Sequence, residues 1–181
     1  MLTTAECVSP KHPDKLCDRI SDTILDACLA QDPNTRAGSE VMGGHGKVMI
    51  TGELTTTAEI DPIVEAKKII GNQYEIIVNI VQQSLEIAQG VDTGGAGDQG
   101  IMVGYACRDN DDQIPQELYL ARSLCKYLYQ HCPEDGKTQI TIDQDQKIKT
   151  IVASFAKIKK TALLELINKW LIDMQSGHGV K

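Results

Sequence analysis

Residues 137–154 read KTQITIDQDQKIKTIVAS, two runs of alternating polar and apolar side chains around Gln144-Asp145-Gln146. Alternation of period two sends successive side chains to opposite faces of a strand, so the runs 137–143 and 147–154 predict an antiparallel hairpin. Residues 159–174 then place Leu163, Leu164, Ile167 and Leu171 at helical spacing with Trp170 beside them, a helix with one face for a core. A hairpin followed by a helix is the unit on which the fold turns, and it recurs upstream.

Gly43-Gly44-His45-Gly46 separates extended segments at 39–42 and 47–54, the second alternating Val48, Ile50 and Gly52 against Met49, Thr51 and Glu53. Asp61-Pro62, an N-cap with proline at the first helical position, opens a helix that closes at Gly71. Ahead of these, residues 14–29 carry Leu16, Cys17, Ile20, Ile24, Leu25 and Cys28 on one stripe and Asp18, Asp22 and Asp26 on another, an amphipathic helix stopped by Asp32-Pro33-Asn34. Residues 74–81 fit either a buried strand or a helix; with 73–88 taken as one element, Ile76, Ile77, Ile80 and Val81 favour helix. Residues 101–107 read as a strand and 115–131 as a helix with Leu118, Leu124, Cys125 and Leu128 inward.

The expected fold is α+β: a two-layer sandwich of mostly antiparallel sheet covered by helices, built from repeated hairpin-helix units without a fixed sequence period. It spans 1–181 as one compact unit or as two intertwined subdomains, with a mobile tail at 175–181. The sheet face opposite the helices needs cover, which points to a homo-oligomer.

Hydrophobic residues at 41% and charged residues at 24% are the balance of a globular chain rather than a disordered one. The net charge of −7 and the absence of a basic run interleaved with aromatics argue against nucleic acid as a partner. Residues 156–181 are the local exception, with five lysines against Glu165 and Asp173. Six cysteines without a C-x-x-C pair suit free thiols in a reducing cytoplasm, and neither a signal pattern nor a membrane-length apolar run is present, so a cytoplasmic location away from membranes is expected.

Two segments carry chemistry. Ser9-Pro10-Lys11-His12-Pro13-Asp14-Lys15 sets an imidazole, a carboxylate and two ammonium groups beside a helix N-terminus, where backbone N–H groups favour anions. Gln89-Gly90-Val91-Asp92-Thr93-Gly94-Gly95-Ala96-Gly97-Asp98-Gln99-Gly100 places two carboxylates in a backbone that can approach a ligand closely. It lacks the Gly-Lys-Ser/Thr ending of a Walker loop. Taken singly, Asp14 reads as a helix cap, His12 as a loop residue and the glycines as a flexible connection.

In order, His12-Pro13-Asp14-Lys15, Ile50-Thr51-Gly52-Glu53, Gln89-Gly90-Val91-Asp92, Gly95-Ala96-Gly97-Asp98-Gln99-Gly100 and Lys137-Thr138-Gln139 resemble the signature of the methionine adenosyltransferases, or S-adenosylmethionine synthetases. The fourth segment, followed by Ile101-Met102-Val103-Gly104-Tyr105-Ala106, is the most specific, and the resemblance runs from about residue 3 to residue 154. It implies synthesis of S-adenosylmethionine from ATP and methionine, by sulfur attack on the ribose C5′ with triphosphate release and cleavage. By the same resemblance His12 and Lys137 are catalytic, stabilising charge on the triphosphate, and Lys15 adds positive charge beside it. Asp14 would hold Mg2+ and Glu40 K+. Glu53 and Gln83 would surround methionine, Asp98 would lie near the nucleoside and the methionine amine, and Asp135 would contact adenosine. Family sites lie between two subunits, which again implies a homo-oligomer.

The sequence departs from the family at four places. Ser9-Pro10-Lys11 replaces Ser-Glu-Gly, Gln83-Ser84-Leu85-Glu86-Ile87 replaces Gln-Ser-Pro-Asp-Ile, and the connection between Asp92 and Gly95 is short where the family carries a gating segment. The family's G-D-x-G-L-T-G-R-K segment and third domain have no counterpart before Lys181. The resemblance therefore leads first to a compact synthetase with its site rebuilt at a homo-oligomer interface. The alternative is a catalytically inactive homologue that binds ATP or associates with a full-length synthetase, and a piece of a longer enzyme is the third reading.

Overall fold

In the computed structural model, which describes residues 1–97 and 99–177, the chain runs β1 (Leu2–Val8), α1 (Pro13–Leu29), β2 (Arg36–Gly44), β3 (Lys47–Thr55), α2 (Pro62–Ile70), β4 (Glu75–Val81), α3 (Leu85–Asp92), α4 (Gln116–His131), β5 (Gly136–Asp143), β6 (Ile148–Phe155) and α5 (Lys160–Gly177). The described residues divide into two compact units, one from residues 1–12 with those from 103 onward, the other from residues 13–102. Each holds a three-stranded sheet with helices, so the α+β class and the mostly antiparallel pairing expected from the sequence are present.

In the first unit the 137–154 hairpin forms as its alternation predicts. β5 pairs antiparallel with β6, and its turn is tied by Asp143 Oδ1, which accepts from the backbone N–H of Asp145 and of Lys147. Ile140, Ile142 and Phe155 turn inward onto Leu124, Cys125 and Leu128 of α4 and onto Ile167 and Trp170 of α5, so both helices cover one sheet face. The buried Thr138 hydroxyl donates to the Ala121 carbonyl at 2.8 Å, and the Trp170 indole to the Ser123 hydroxyl at 3.1 Å, so neither polar group is left unpaired in the core. The third strand is β1, antiparallel on the other edge of β5 with Val8 opposite Lys137, a strand absent from the sequence reading. The first strand of the chain thus completes a sheet whose other members lie some 130 residues downstream.

In the second unit β2 and β3 form the expected hairpin, turning through His45 and Gly46 at positive φ. Val48 and Ile50 point inward onto Ile20 and Ile24 of α1 and Ala66 and Ile70 of α2. The helix expected over 73–88 is corrected. Residues 75–81 are β4, parallel to β3 and reached through α2, while α3 begins only at Leu85, capped by Ser84. Branched Ile76, Ile77, Val78, Ile80 and Val81 favour a pleated strand, and α2 supplies the crossover a parallel pair needs. The strand expected at 101–107 is also absent. These residues have no ladder partner among the described residues, and Ile101, Met102, Val103 and Tyr105 are exposed. The segment 175–181 divides: the α5 backbone continues to Gly177, and 178–181 lie outside the described residues.

Two carboxylates link this fold to pH. Asp32 accepts backbone N–H bonds from Thr57 and Asn34, and Asp143 faces Lys149 at 2.9 Å as well as the Lys147 N–H; these partners hold both carboxyls below the usual carboxylate range. A depressed folded pKa contributes stability that is fully present above the unfolded value, about pH 4, and is lost as pH falls through the lower folded value. Asp143→Asn should therefore lower the urea midpoint at pH 7 and lower it by a smaller amount at pH 3. An equal loss at both pH values would show that the carboxylate charge plays no part.

Candidate active site

The first cleft is assembled by Ser9. This side chain is fully buried at the end of β1; its N–H donates to the Gly136 carbonyl at 2.8 Å, its Oγ accepts from the Gly136 N–H at 3.0 Å and donates to the Glu134 carbonyl at 2.9 Å. The His12 N–H donates back to the Ser9 carbonyl at 3.0 Å, closing a turn that carries the imidazole toward the start of β5. Gly136 is required there because the Phe155 ring packs on it; a Cβ would lie 2.4 Å from Phe155 Cδ1. The result is a cavity of about 220 Å³ lined by His12, Asp135, Gly136, Lys137, Ser154, Phe155 and Ala156. Half-buried His12 and exposed Asp135 and Lys137, three of the residues singled out in the sequence, meet in it. A cation and an imidazole at one mouth suit a polyanion, with Asp135 free to accept from a base or ribose.

The second cleft lies wholly within residues 13–102. It has a volume of about 600 Å³ and is lined by Arg36, Ala37, Gly38, Glu53, Gln83, Ile87, Val91 and Gly97. Glu53 reaches it from β3. Gln83 reaches it from the bend between β4 and α3, where its N–H donates to Thr55 Oγ1 at 3.3 Å. The Gln83 Oε1 is buried and accepts no hydrogen bond among the described residues. Arg36 forms an ion pair with Asp92 at the end of α3. An acceptor pair, a guanidinium and the apolar wall of Ile87 and Val91 are the complement of a zwitterion with an apolar side chain.

Asp14, Lys15 and Glu40 are not among the residues that line these clefts. Asp14 and Lys15 occupy the exposed first turn of α1, with Lys15 Nζ 2.9 Å from Asp18 Oδ2. Glu40 is exposed on β2, opposite Thr51 and on the same outward sheet face as Arg36 and Glu53. Asp98 lies outside the described residues. Among the described residues no three His, Cys, Asp or Glu side chains converge as a metal site. Asp14 alone therefore suits Mg2+ only together with ligand phosphate oxygens, the usual way that ion is held, whereas Glu40 by itself does not make a K+ cage. Burial and the nearby Asp14 and Asp18 carboxylates push the Cys17 thiol up, so this cysteine on α1 is not a thiolate nucleophile. None of the six cysteines forms a disulfide, and no helix among the described residues is long and apolar enough to cross a membrane.

Sequence reasoning missed the roles of Ser9 and Arg36. A serine ending a strand gives no sign that it will be buried, and Arg36 enters a cleft only once β2 and α3 are in place.

Comparison with known families identifies the protein class to which these clefts belong. Residues 1–89 match the N-terminal domain, and residues 93–176 the central domain, of S-adenosylmethionine synthetase. The chain belongs to the S-adenosylmethionine synthetase family. It is 38% identical to an S-adenosylmethionine synthase of Trichodesmium erythraeum over 177 residues, covering 78% of this chain and 42% of the relative, and equally similar to one from Synechococcus elongatus over the same shares. An S-adenosylmethionine synthetase from Campylobacter jejuni, described as unusual, superimposes with a TM-score of 0.80 at 31% identity, over 95% of this chain and 53% of that one. The chain thus spans about half the length of the relatives it matches. The boundary near residue 90 in the family's domains differs from the compact units, because β1 pairs with β5 and residues 1–12, His12 included, fall in the unit of β5 and β6.

Proposed function

We propose that the chain takes part in synthesis of S-adenosylmethionine from ATP and methionine, with the triphosphate end of ATP in the cleft of His12 and Lys137 and methionine in the cleft of Glu53 and Gln83. The observation that carries this reading is the meeting of His12 with Asp135 and Lys137 in one cavity, since His12 is distant in sequence from the other two and each of the three matches a family ligand. A thioether sulfur is a neutral nucleophile, so no side chain need remove a proton. The demand falls on the leaving group, where negative charge grows on the oxygen departing from C5′. Lys137 answers as a fixed point charge, and His12 donates a hydrogen bond. Asp135 orients the nucleoside, and Lys15 adds charge at the α1 N-terminus. Mg2+, held by Asp14 with phosphate oxygens, would neutralise the triphosphate, while K+ at Glu40 would need ligands beyond this side chain. Asp98, in the glycine-rich segment, is assigned to the nucleoside and methionine amine.

The assembly we propose is a cytoplasmic homo-oligomer with the complete site at the subunit interface. Its support is exposed apolar surface: Ile101, Met102, Val103 and Tyr105 in one run, and Met42, Ile77 and Val81 on the second unit's strands. Chain incubated with ATP, methionine, Mg2+ and K+ should yield S-adenosylmethionine and triphosphate-derived phosphate, and absence of product at stoichiometric protein would overturn the catalytic reading. A second reading, an inactive homologue that binds ATP or associates with a full-length synthetase, is favoured by the departures at Ser9-Pro10-Lys11 and Ser84-Leu85-Glu86 from the family pattern. It requires nucleotide binding without turnover, or co-purification with such a synthetase.

A further inference from the structure

Arg36 is the first residue of β2 and lines the second cleft, where it pairs with Asp92, the last residue of α3. The register sets Arg36 opposite Thr55 and Gly38 opposite Glu53, so Arg36 and Glu53 are diagonal neighbours on one sheet face. Such neighbours lie about 7–8 Å apart, a gap that the carboxylate and ammonium of an α-amino acid can bridge from opposite sides. Gln83 lines the same cleft with a buried Oε1 that has no donor among the described residues, an arrangement completed by a ligand N–H.

Asp92 is 62% exposed at its side chain, and α3 contains no buried residue, so the helix is weakly anchored apart from this ion pair and its Ser84 cap. A carboxylate that enters the cleft competes with Asp92 for one guanidinium. The ligand's carboxylate has an ammonium held by Glu53 beside it, whereas the Asp92 pair is open to solvent and screened.

We propose that Arg36 receives the carboxylate of the amino-acid substrate and that Asp92 holds this place until the substrate displaces it, loosening α3 along the cleft wall. This rests on the reading of the second cleft as the methionine site and adds to it a residue that selects for a carboxylate and a latch that opens on binding. Glu53 favours the ammonium end and Gln83 carries no charge, so neither matches a guanidinium in selecting for a carboxylate.

Calorimetric titration of the full chain with L-methionine and with L-methioninol, which has a hydroxymethyl group in place of the carboxylate, tests it. Wild type should prefer methionine by about tenfold or more, the size expected for one charge-assisted pair. Arg36→Gln should reduce that preference to about threefold or less, and Asp92→Asn should raise it by removing the competitor. Circular dichroism checks the fold of each variant. If Arg36→Gln does not fold, Asp92→Asn decides: an unchanged preference overturns the proposal. A preference that survives in folded Arg36→Gln overturns it while leaving methionine in the cleft. Absence of methionine binding by wild type overturns both the proposal and the methionine reading.

Discussion

Lys137→Ala is expected to lower the rate of S-adenosylmethionine formation by about 10²–10³-fold, the usual effect of removing one preorganised donor from developing negative charge. The side chain is exposed at the second position of β5, flanked by Val8 and Ser154 on the neighbouring strands, and contributes nothing to the core. Its loss should leave the unfolding midpoint nearly unchanged, because surface substitutions away from caps and buried pairs stay within about 0.5 kcal/mol. A rate measurement paired with urea unfolding separates chemistry from folding. Lys149→Ala, which removes a cation from the opposite end of the same hairpin, provides the control: it breaks the Asp143 pair yet should keep the rate. Equal rates for Lys137→Ala and wild type would remove Lys137 from the leaving-group site.

That pairing of His12 with Lys137 was legible in the sequence only through resemblance. No periodicity connects residue 12 with residue 137; the connection is made by β1 adding to β5 and by Ser9 bonding both sides of Gly136. The family motif preserves the outcome of this long-range pairing without revealing its cause. Asp14 and Lys15 lie only two and three residues after His12, yet they stand on the first turn of α1, which belongs to the other unit.

The fold divides along the same line between local and non-local information. α1, α2, α4 and the two hairpins follow from spacing within each segment, because their stripes and turns are encoded over a few residues. β1 escaped notice because Leu2, Thr3 and Thr4 give no clean alternation and its partner lies far along the chain. β4 was read as helix because branched residues at 76, 77, 80 and 81 satisfy both periods; length decides, since the apolar run ends after seven residues and Ser84 starts a separate helix. At 101–107 the opposite error occurred: an apolar run with strand composition has no neighbouring edge to pair with among the described residues.

Gly52→Ala should destabilise the second unit by about 3 kcal/mol or more, through a backbone conformation and a collision acting together. In sequence Gly52 merely continues the alternation of Val48 and Ile50. In the structure its φ is +117°, a region L-residues rarely adopt, and a Cβ would lie 2.1 Å from the Gly38 carbonyl oxygen. That contact is with backbone, so a rotamer change cannot relieve it; β2 and β3 must separate, and Glu53, opposite Gly38, must move with them. Gly44→Ala, in the same hairpin with nothing within 4 Å of the added carbon, should unfold at nearly the wild-type urea concentration. The two variants share the same added methyl, so their difference reports the positive φ of Gly52 and its close approach to Gly38 together. Methionine affinity should fall in Gly52→Ala even at temperatures where the chain stays folded, because the displaced strand carries one of the cleft's acceptors. A stable Gly52→Ala with unchanged affinity would mean that β3 does not hold Glu53 through this close approach.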